Sequence, residues 1–374
     1  MASYLGVSRF DVIVVGLGGM GSAAAAHASA RGKRVLGLEQ FQPAHDQGSS
    51  HGRSRVIRLA YFEHPAYVPL LRRAYQLWRR LESATGRRLL QITGGLMIGT
   101  PDSEVVSGSL RSAREHQLDY EMLDAAAIRR RYPPLTPGPG VVALHEREAG
   151  IVFPEEAIRA HLDMAVDHGA HVHFDEQVED WRVLSSGTIE VKTSRAHYDT
   201  ERLILAPGPW ASQLFKVNWL PLRVEPQQLH WFEPLDAAQF AADRFPIYIW
   251  DLGNGVQFYG FPADDAGRVK VAFFRSKVKG EAAIREALRP CLPALADGVL
   301  VNTVSCKYTL TPDQHFVIGR HPDAANVVIA SPCSGHGYKF AAVIGEILAD
   351  LAIDGATRHR IDLFDPQRFR DSPS

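Results

Sequence analysis

The chain has 374 residues, 45% hydrophobic and 22% charged, with 41 basic and 42 acidic side chains and a net charge of −1. That composition excludes a disordered or fibrous chain, and the length favours two or three packed units or one large domain with an insertion. The even charge balance gives no electrostatic reason to expect nucleic acid or an anionic membrane as a partner.

The cysteines are Cys291, Cys306 and Cys333. Their odd number and wide spacing do not suit a disulfide framework and predict a reducing, cytoplasmic setting. No CxxC or HExxH motif occurs, so no metal site is expected. Met1 to Phe10 lacks a basic region followed by a leader-type apolar run, so no signal peptide is expected. No segment offers about 18 uninterrupted apolar residues, so no membrane span is expected.

In chain order, Asp11 to Val15 reads as a buried parallel strand. Gly16-Leu17-Gly18-Gly19-Met20-Gly21 follows, then a small-residue helix from Ser22. A second strand, Arg34 to Leu38, ends in Glu39, 18 residues after Gly21. Each glycine has a reason. Gly16 permits the tight turn, Gly18 admits a pyrophosphate to the backbone, and Gly21 lets helix and strand approach. The helix start offers free N–H groups to phosphates, and Glu39 can accept both ribose hydroxyls. An acid there favours FAD or NAD over NADP.

A glycine- and serine-rich loop runs from Gln40 to Arg58, and a helix is predicted from about Tyr67 to Ser83. Gly95 to Gly99 reads as a strand. The run Arg129-Arg130-Arg131 reads as a solvated helix end, and His171 and His173 as strand-edge histidines rather than metal ligands. Arg202 to Leu205 is a buried strand that can return to the nucleotide sheet. Residues 216–300 alternate as strands, with hairpins at Gly253-Asn254-Gly255 and at Asp264 to Gly267. The last strand, Asn326 to Ala330, leads into Ser334-Gly335-His336-Gly337-Tyr338-Lys339 and a helix to about Leu351. That second glycine-rich helix start also suits an anion.

Several of these motifs together resemble the monomeric sarcosine oxidase family, whose relatives include N-methyltryptophan oxidase and pipecolate oxidase. The matching pieces are Gly16 to Gly21 with Glu39, Gly48 to Arg58, Tyr259-Gly260-Phe261-Pro262 with Lys270, Ser305 to Thr309, Thr311-Pro312-Asp313, and Ser334 to Lys339. They follow the family's order over nearly the whole chain.

The resemblance implies a mixed α/β fold. A Rossmann-like FAD-binding domain would be assembled from residues 1–85, 150–215 and 300–374. An inserted, mainly antiparallel substrate domain would comprise 86–149 and 216–299. It implies oxidation of the C–N bond of a secondary amino acid, N-methyl or cyclic, by O2. The products would be an imine, which hydrolyses, and hydrogen peroxide. The expected partners are the amino acid and O2, and the expected state is a monomer. A flavin-dependent dehydrogenase passing electrons to a carrier is the alternative. An NAD-dependent dehydrogenase is disfavoured by Cys306 and by the second glycine-rich helix start.

Carried over residue by residue, the resemblance makes Cys306 the covalent 8α-S-cysteinyl attachment of FAD. Arg55 and His51 would stand beside the flavin ring. Lys270 would activate oxygen, Arg58 and Lys339 would grip the substrate carboxylate, and Tyr259 and Tyr308 would wall the pocket. The flavin-binding set is completed by Gly16, Gly18, Gly19, Met20, Gly21, Glu39, Ser50, Val178, Gly208, Gly335, His336 and Gly337. Two positions depart from the family pattern. Phe274 stands where the family has a histidine, on the strand face of Lys270 and Ala272. Ser50-His51 replaces a histidine pair. Phe274 predicts a pocket that favours an apolar substrate group over sarcosine.

Overall fold

The β-branched run after Phe10 forms the strand Ser8–Val15, flanked in parallel by Val35–Leu38 and by His197–Leu205. His171–His173 pairs outside Val35–Leu38, and Ala324–Ser331 pairs with His197–Leu205, both in parallel. Five strands from distant parts of the chain therefore make one parallel core. Arg202 to Leu205 does return to it, as expected. The computed structural model describes residues 8–276 and 278–370; the signal-peptide reading of Met1–Phe10 falls mostly outside them.

Parallel strands need crossovers, usually helical, which cover the sheet faces. Gly19–Ser29 is such a crossover, Pro154–Asp167 leads into the strand His171–His173, and Ala341–Ile353, after the last strand, covers the sheet without joining two strands. Gly19–Ser29 and Ala341–Ile353 are almost wholly buried, and they pack closely. A Cβ on Gly345 would lie 2.4 Å from the Ala23 Cβ. The amphipathic helix Val68–Thr85 joins the same core and ends on Gly86 at φ +68°.

The second sheet has eight strands. Its order is Val299–Leu310, Arg223–Glu233, Val269–Phe274, Gln257–Ala263, Ile247–Asp251, Gly95–Gly99, Val142–Glu146 and Glu121–Asp124. All neighbours are antiparallel except Ile247–Asp251 with Gly95–Gly99. The two predicted hairpin turns join its strands. A separate small sheet sets Gly150–Val152 against Arg55–Ile57 and Leu90–Ile92.

One strand departs from the expected segmentation. Val299–Leu310, counted with the nucleotide domain from residue 300 onward, pairs along its length with Arg223–Glu233. Cys306 therefore comes from the edge of the second sheet. A long β-ribbon takes its partner from far away in sequence, so nothing local marks which sheet it joins. Among the described residues, no helix is long and apolar enough to cross a membrane.

Gly21 is where fold and turn meet, because a Cβ there would sit 1.8 Å from Gly16 O. Gly21→Ala is expected to cost about 1–3 kcal/mol or more by overpacking. Gly138→Ala, with nothing within 4 Å, is the neutral control. Denaturant midpoints of the two variants check this.

Candidate active site

Gly16 has φ +85°, and a Cβ there would lie 2.6 Å from Ala206 O, so the turn is closed to larger residues. The helix that follows has no side-chain cap. Gly16, Gly18, Gly19 and Met20 lie on the wall of a cavity of about 500 Å³. An uncapped helix start facing a cavity suits a phosphate. Gly19 N–H donates to Ser50 Oγ at 3.2 Å, which ties the turn to the serine-rich loop. Glu39, Val178 and Gly208 line the same end. The Glu39 carboxylate already accepts from Leu17 N–H at 2.8 Å and from Phe41 N–H at 3.2 Å.

Farther along the cavity stand Ser50, Arg55 and Cys306. Arg55 donates to Ser49 O and Ser54 O, each at 2.9 Å, and its guanidinium lies 3.7 Å from Cys306 Sγ. Ser49 Oγ, His51 Nε2, Gln227 Nε2, Thr309 Oγ1 and Ser331 Oγ are buried without a partner. Gln227 faces Cys306 across the strand pair. Orphaned buried polar atoms are costly and need an account. Of these, Ser49 lines the cavity beside Ser50, Arg55 and Cys306, and a planar polar ring bound there would partner its hydroxyl. With the uncapped dinucleotide turn, the residues present fit a flavin dinucleotide.

The far end holds Arg58, Tyr259, Phe274, Tyr308 and Lys339, with Gly335, His336 and Gly337 forming a turn beside them. The turn is tight. A Cβ on Gly337 would lie 1.5 Å from Pro332 O, and one on Gly335 would lie 2.8 Å from the Tyr308 ring. The His336 imidazole bonds to the Tyr61 hydroxyl through Nδ1 and to Gln314 O through Nε2 at 3.0 Å. The carbonyl can only accept, so Nε2 carries the proton and Nδ1 accepts. Burial holds this histidine neutral, well below the usual imidazole range.

Eighteen residues of the expected site thus border one cavity, and three do not. Gly21 lies beneath the turn, against Gly16. His51 is buried behind the loop, where burial and then Arg55 hold its pKa down. Lys270 is 3% exposed and donates to Gly52 O at 2.8 Å and Ser54 O at 2.6 Å.

Arg58 differs most from expectation. It is not a free cation. Its guanidinium pairs with Glu63 at 2.7 Å, donates to Ala60 O at 2.9 Å, and lies over the Tyr61 and Phe62 rings. Burial opposes the charge on Glu63, yet Arg58 first, with Lys339 and Arg275 adding to it, holds its pKa down to about 2. Arg58 Nε and Glu63 Oε1 remain without partners. Lys339 is the more open cation, with a single hydrogen bond, to His336 O at 2.6 Å. Burial, then Arg58, brings its pKa down to about 7.

Several residues went unread in the sequence. Glu63 lines the cavity. Glu146 accepts from Leu59 and Ala60 N–H, both at 2.7 Å, and Glu155 accepts from Gly52 and Arg53 N–H. The spacing of Glu63 five residues after Arg58 was the one available signal. The others act across long sequence separations.

The cavity's chemistry makes a prediction about pH. Lys339 is charged below about 7 and neutral above it. A simple carboxylate lacking an amine should therefore bind tightly at low pH and more weakly as pH rises through about 7. Lys339→Met should flatten that dependence. Dissociation constants for a fixed carboxylate across pH check it.

The family model described as "FAD dependent oxidoreductase" matches residues 11–351. The chain is 47% identical to monomeric sarcosine oxidase of Streptomyces avermitilis, over 98% of this chain and 99% of that protein. It is 36% identical to monomeric sarcosine oxidase of a Bacillus species, over 96% of each. It is 32% identical to N-methyl-L-tryptophan oxidase of Salmonella enteritidis, over 96% of this chain and 99% of that one. Among solved structures, NikD, an amino acid oxidase of nikkomycin biosynthesis, superposes with TM-score 0.83 at 25% identity, over 96% and 98% of the two chains. L-proline dehydrogenase from P. horikoshii superposes with TM-score 0.84 at 21% identity, over 97% and 98%, a likeness of fold.

Proposed function

We infer the reaction from one premise: this chain belongs to the FAD-dependent oxidoreductase family, matched over residues 11–351. It is an FAD-dependent enzyme that oxidises the C–N bond of a secondary amino acid with O2, giving an imine and hydrogen peroxide. Water then splits the imine into an amine and a carbonyl compound. The observation that carries this reading is a single cavity. It joins the dinucleotide turn at Gly16 to a far end built of Arg58, Lys339 and aromatic rings.

Bound FAD supplies the two-electron chemistry, taking a hydride equivalent from the carbon next to nitrogen and yielding the electrons to O2. The chain's own groups bind, orient and polarise. The dinucleotide turn, Glu39, Val178 and Gly208 hold the nucleotide end. Ser50, Arg55 and the Gly335–Gly337 turn would flank the ring, with His51 behind the cavity wall rather than on it. Arg55 places a permanent positive charge there, where added electrons are stabilised. Cys306, beside Arg55, carries the cofactor covalently through an 8α-thioether.

Lys339 and Arg58 orient the substrate carboxylate. Arg58 reaches it either through its unpartnered Nε or by releasing Glu63. A charge-assisted pair of this kind fixes the amino acid in one orientation. Tyr259 and Tyr308 wall the space between carboxylate and ring. Lys270 is the cation on the oxygen side.

Phe274 sets the substrate class. Its ring lines the cavity and meets Phe62 and Tyr259 edge-on at 6.0 and 6.5 Å. It packs in an apolar cluster with Ile249 and Met97. Such a wall contributes about 25 cal/mol per Å² of apolar substrate area buried and offers no hydrogen bond. The substrate is therefore an N-methyl or cyclic amino acid with a substantial apolar group.

Two measurements test the reading. A screen of peroxide release over N-methyl and cyclic amino acids should find pipecolate-like substrates ahead of sarcosine in kcat/KM. Phe274→His should move the ratio toward sarcosine by about 1–3 kcal/mol; an unchanged ratio overturns the role of Phe274. Absence of peroxide with substrate-dependent bleaching would instead mark a dehydrogenase.

The second concerns attachment. Acid-precipitated wild-type protein should stay yellow, and Cys306→Ser should release its FAD to the supernatant. A colourless wild-type pellet overturns the thioether while leaving FAD binding intact.

A further inference from the structure

We propose that Glu155 is a positioning residue for Lys270, joined to it through one peptide unit rather than by a direct ion pair. The peptide between Gly52 and Arg53 is held at both ends. Its N–H, on Arg53, donates to Glu155 Oε1 at 3.0 Å. Its C=O, on Gly52, accepts from Lys270 Nζ at 2.8 Å. A carboxylate on the N–H and an ammonium on the C=O polarise the same amide in the same sense, so each strengthens the other's hydrogen bond.

The surrounding backbone is shaped to this arrangement. Gly52 N–H donates to the same Glu155 oxygen at 2.7 Å, and Ser54 O takes a second bond from Lys270 at 2.6 Å. Gly52 and Arg53 have φ of +98° and +65°. The left-handed backbone is sparsely populated for a residue with a Cβ, and Arg53 adopts it with its own side chain exposed. The conformation turns two successive N–H groups toward one carboxylate oxygen, as in an anion-binding nest. Glu155 sits in the first turn of Pro154–Asp167, where an acid also complements the helix dipole.

The electrostatics point the same way. Lys270 is enclosed by the Phe261 and Trp231 rings, with its ammonium 4.5 and 5.6 Å from their centroids. The charged and titratable groups facing it are Arg55 and His51, which disfavour its charge, and Glu155 and Cys306, which favour it, Cys306 only as a free thiol and no longer as a thioether. Burial holds its pKa well below the usual lysine range, and Arg55 adds to the depression. Glu155 is the carboxylate that opposes both effects. Removing its charge lowers the Lys270 pKa further, so the ammonium is lost at lower pH.

The kinetic part of this inference rests on the reading of Lys270 as the oxygen-side cation; the structural part does not. The test uses four holoenzymes: wild type, Glu155→Gln, Lys270→Met and the double variant. Glu155→Gln keeps an acceptor oxygen for the two N–H groups and removes only the charge. In thermal unfolding, the double variant should lose less than the sum of the two single losses, because each partner alone leaves the other uncompensated. Additive losses overturn the link.

In rapid mixing of substrate-reduced enzyme with oxygen, the rate of Glu155→Gln should fall off at lower pH than wild type. Above both inflections the rate falls about tenfold for each pH unit of displacement. Glu155→Asp, which keeps the charge, should restore the wild-type inflection, and it stands in if Glu155→Gln does not fold. An unmoved inflection with additive unfolding overturns the proposal. If Lys270→Met reoxidises like wild type, the oxygen role of Lys270 fails by itself. Non-additive unfolding would then still support the Glu155–Lys270 link.

Discussion

Desolvated positive charge is the constraint on which this site depends. Arg55, Arg58 and Lys339 are drawn out of water on the wall of one cavity, and Lys270 behind the Gly52 loop beside it. Burying a cation is costly unless polar atoms replace its hydration. Backbone carbonyls do most of that replacement here: Ser49 and Ser54 for Arg55, Ala60 for Arg58, Gly52 and Ser54 for Lys270, and His336 for Lys339. Carbonyls satisfy donors without cancelling charge. The field at this end of the cavity therefore stays positive, which suits a reaction that delivers electrons and binds a carboxylate.

Turning so many carbonyls inward dictates the local backbone. The segment from Ser49 to Ala60 has to present oxygens to cations on one side, so its N–H groups need acceptors on the other. Two carboxylates from distant elements meet that need. Glu155, at the head of a helix, takes Gly52 and Arg53; Glu146, at the end of a strand of the second sheet, takes Leu59 and Ala60. The loop is thereby clamped between the two sheet systems. Arg55 meets Cys306 because the loop comes from the nucleotide side and the cysteine from the edge of the other sheet.

This division explains what could be read from the sequence. The dinucleotide turn is legible because its requirements are local. Gly21 is glycine for its contact with Gly16 and Gly16 for its own positive φ, although the Ala206 carbonyl that closes the space beside Gly16 comes from far away, and Glu39 terminates a short apolar strand, Val35–Leu38. The helix after Tyr67 is legible from periodicity. Glu155 and Glu146 are not, because an acid in a helix or strand carries no mark of the loop it will staple about a hundred residues away. The pairing of Val299–Leu310 with Arg223–Glu233 was hidden for the same reason. Arg58 was legible as a functional cation and not as a paired one. Glu63 lies close in sequence, but only the folded loop brings the carboxylate onto the guanidinium.

The four cations are not equivalent, and their chemistry separates what is fixed from what responds. Guanidinium groups keep their charge at any working pH, even when buried. Arg55 and Arg58 therefore set a constant field beside Cys306 and beside Glu63. Ammonium groups yield to desolvation. Lys339 comes down to about 7, and Lys270 falls well below its usual range. The two lysines are thus the groups whose charge pH can remove, one beside Arg58 on the cavity wall and one behind the Gly52 loop. Their carboxylate environments differ accordingly. Lys339 is repelled by Arg58 and answered by Glu63, which Arg58 already holds. Lys270 is repelled by Arg55 and answered by Glu155, which spends its charge on the peptide that Lys270 itself grips. Each lysine is balanced by a carboxylate that is committed elsewhere. Neither lysine is cancelled by a carboxylate of its own, and where pH removes their charge the Arg55 guanidinium still holds its own on the cavity wall.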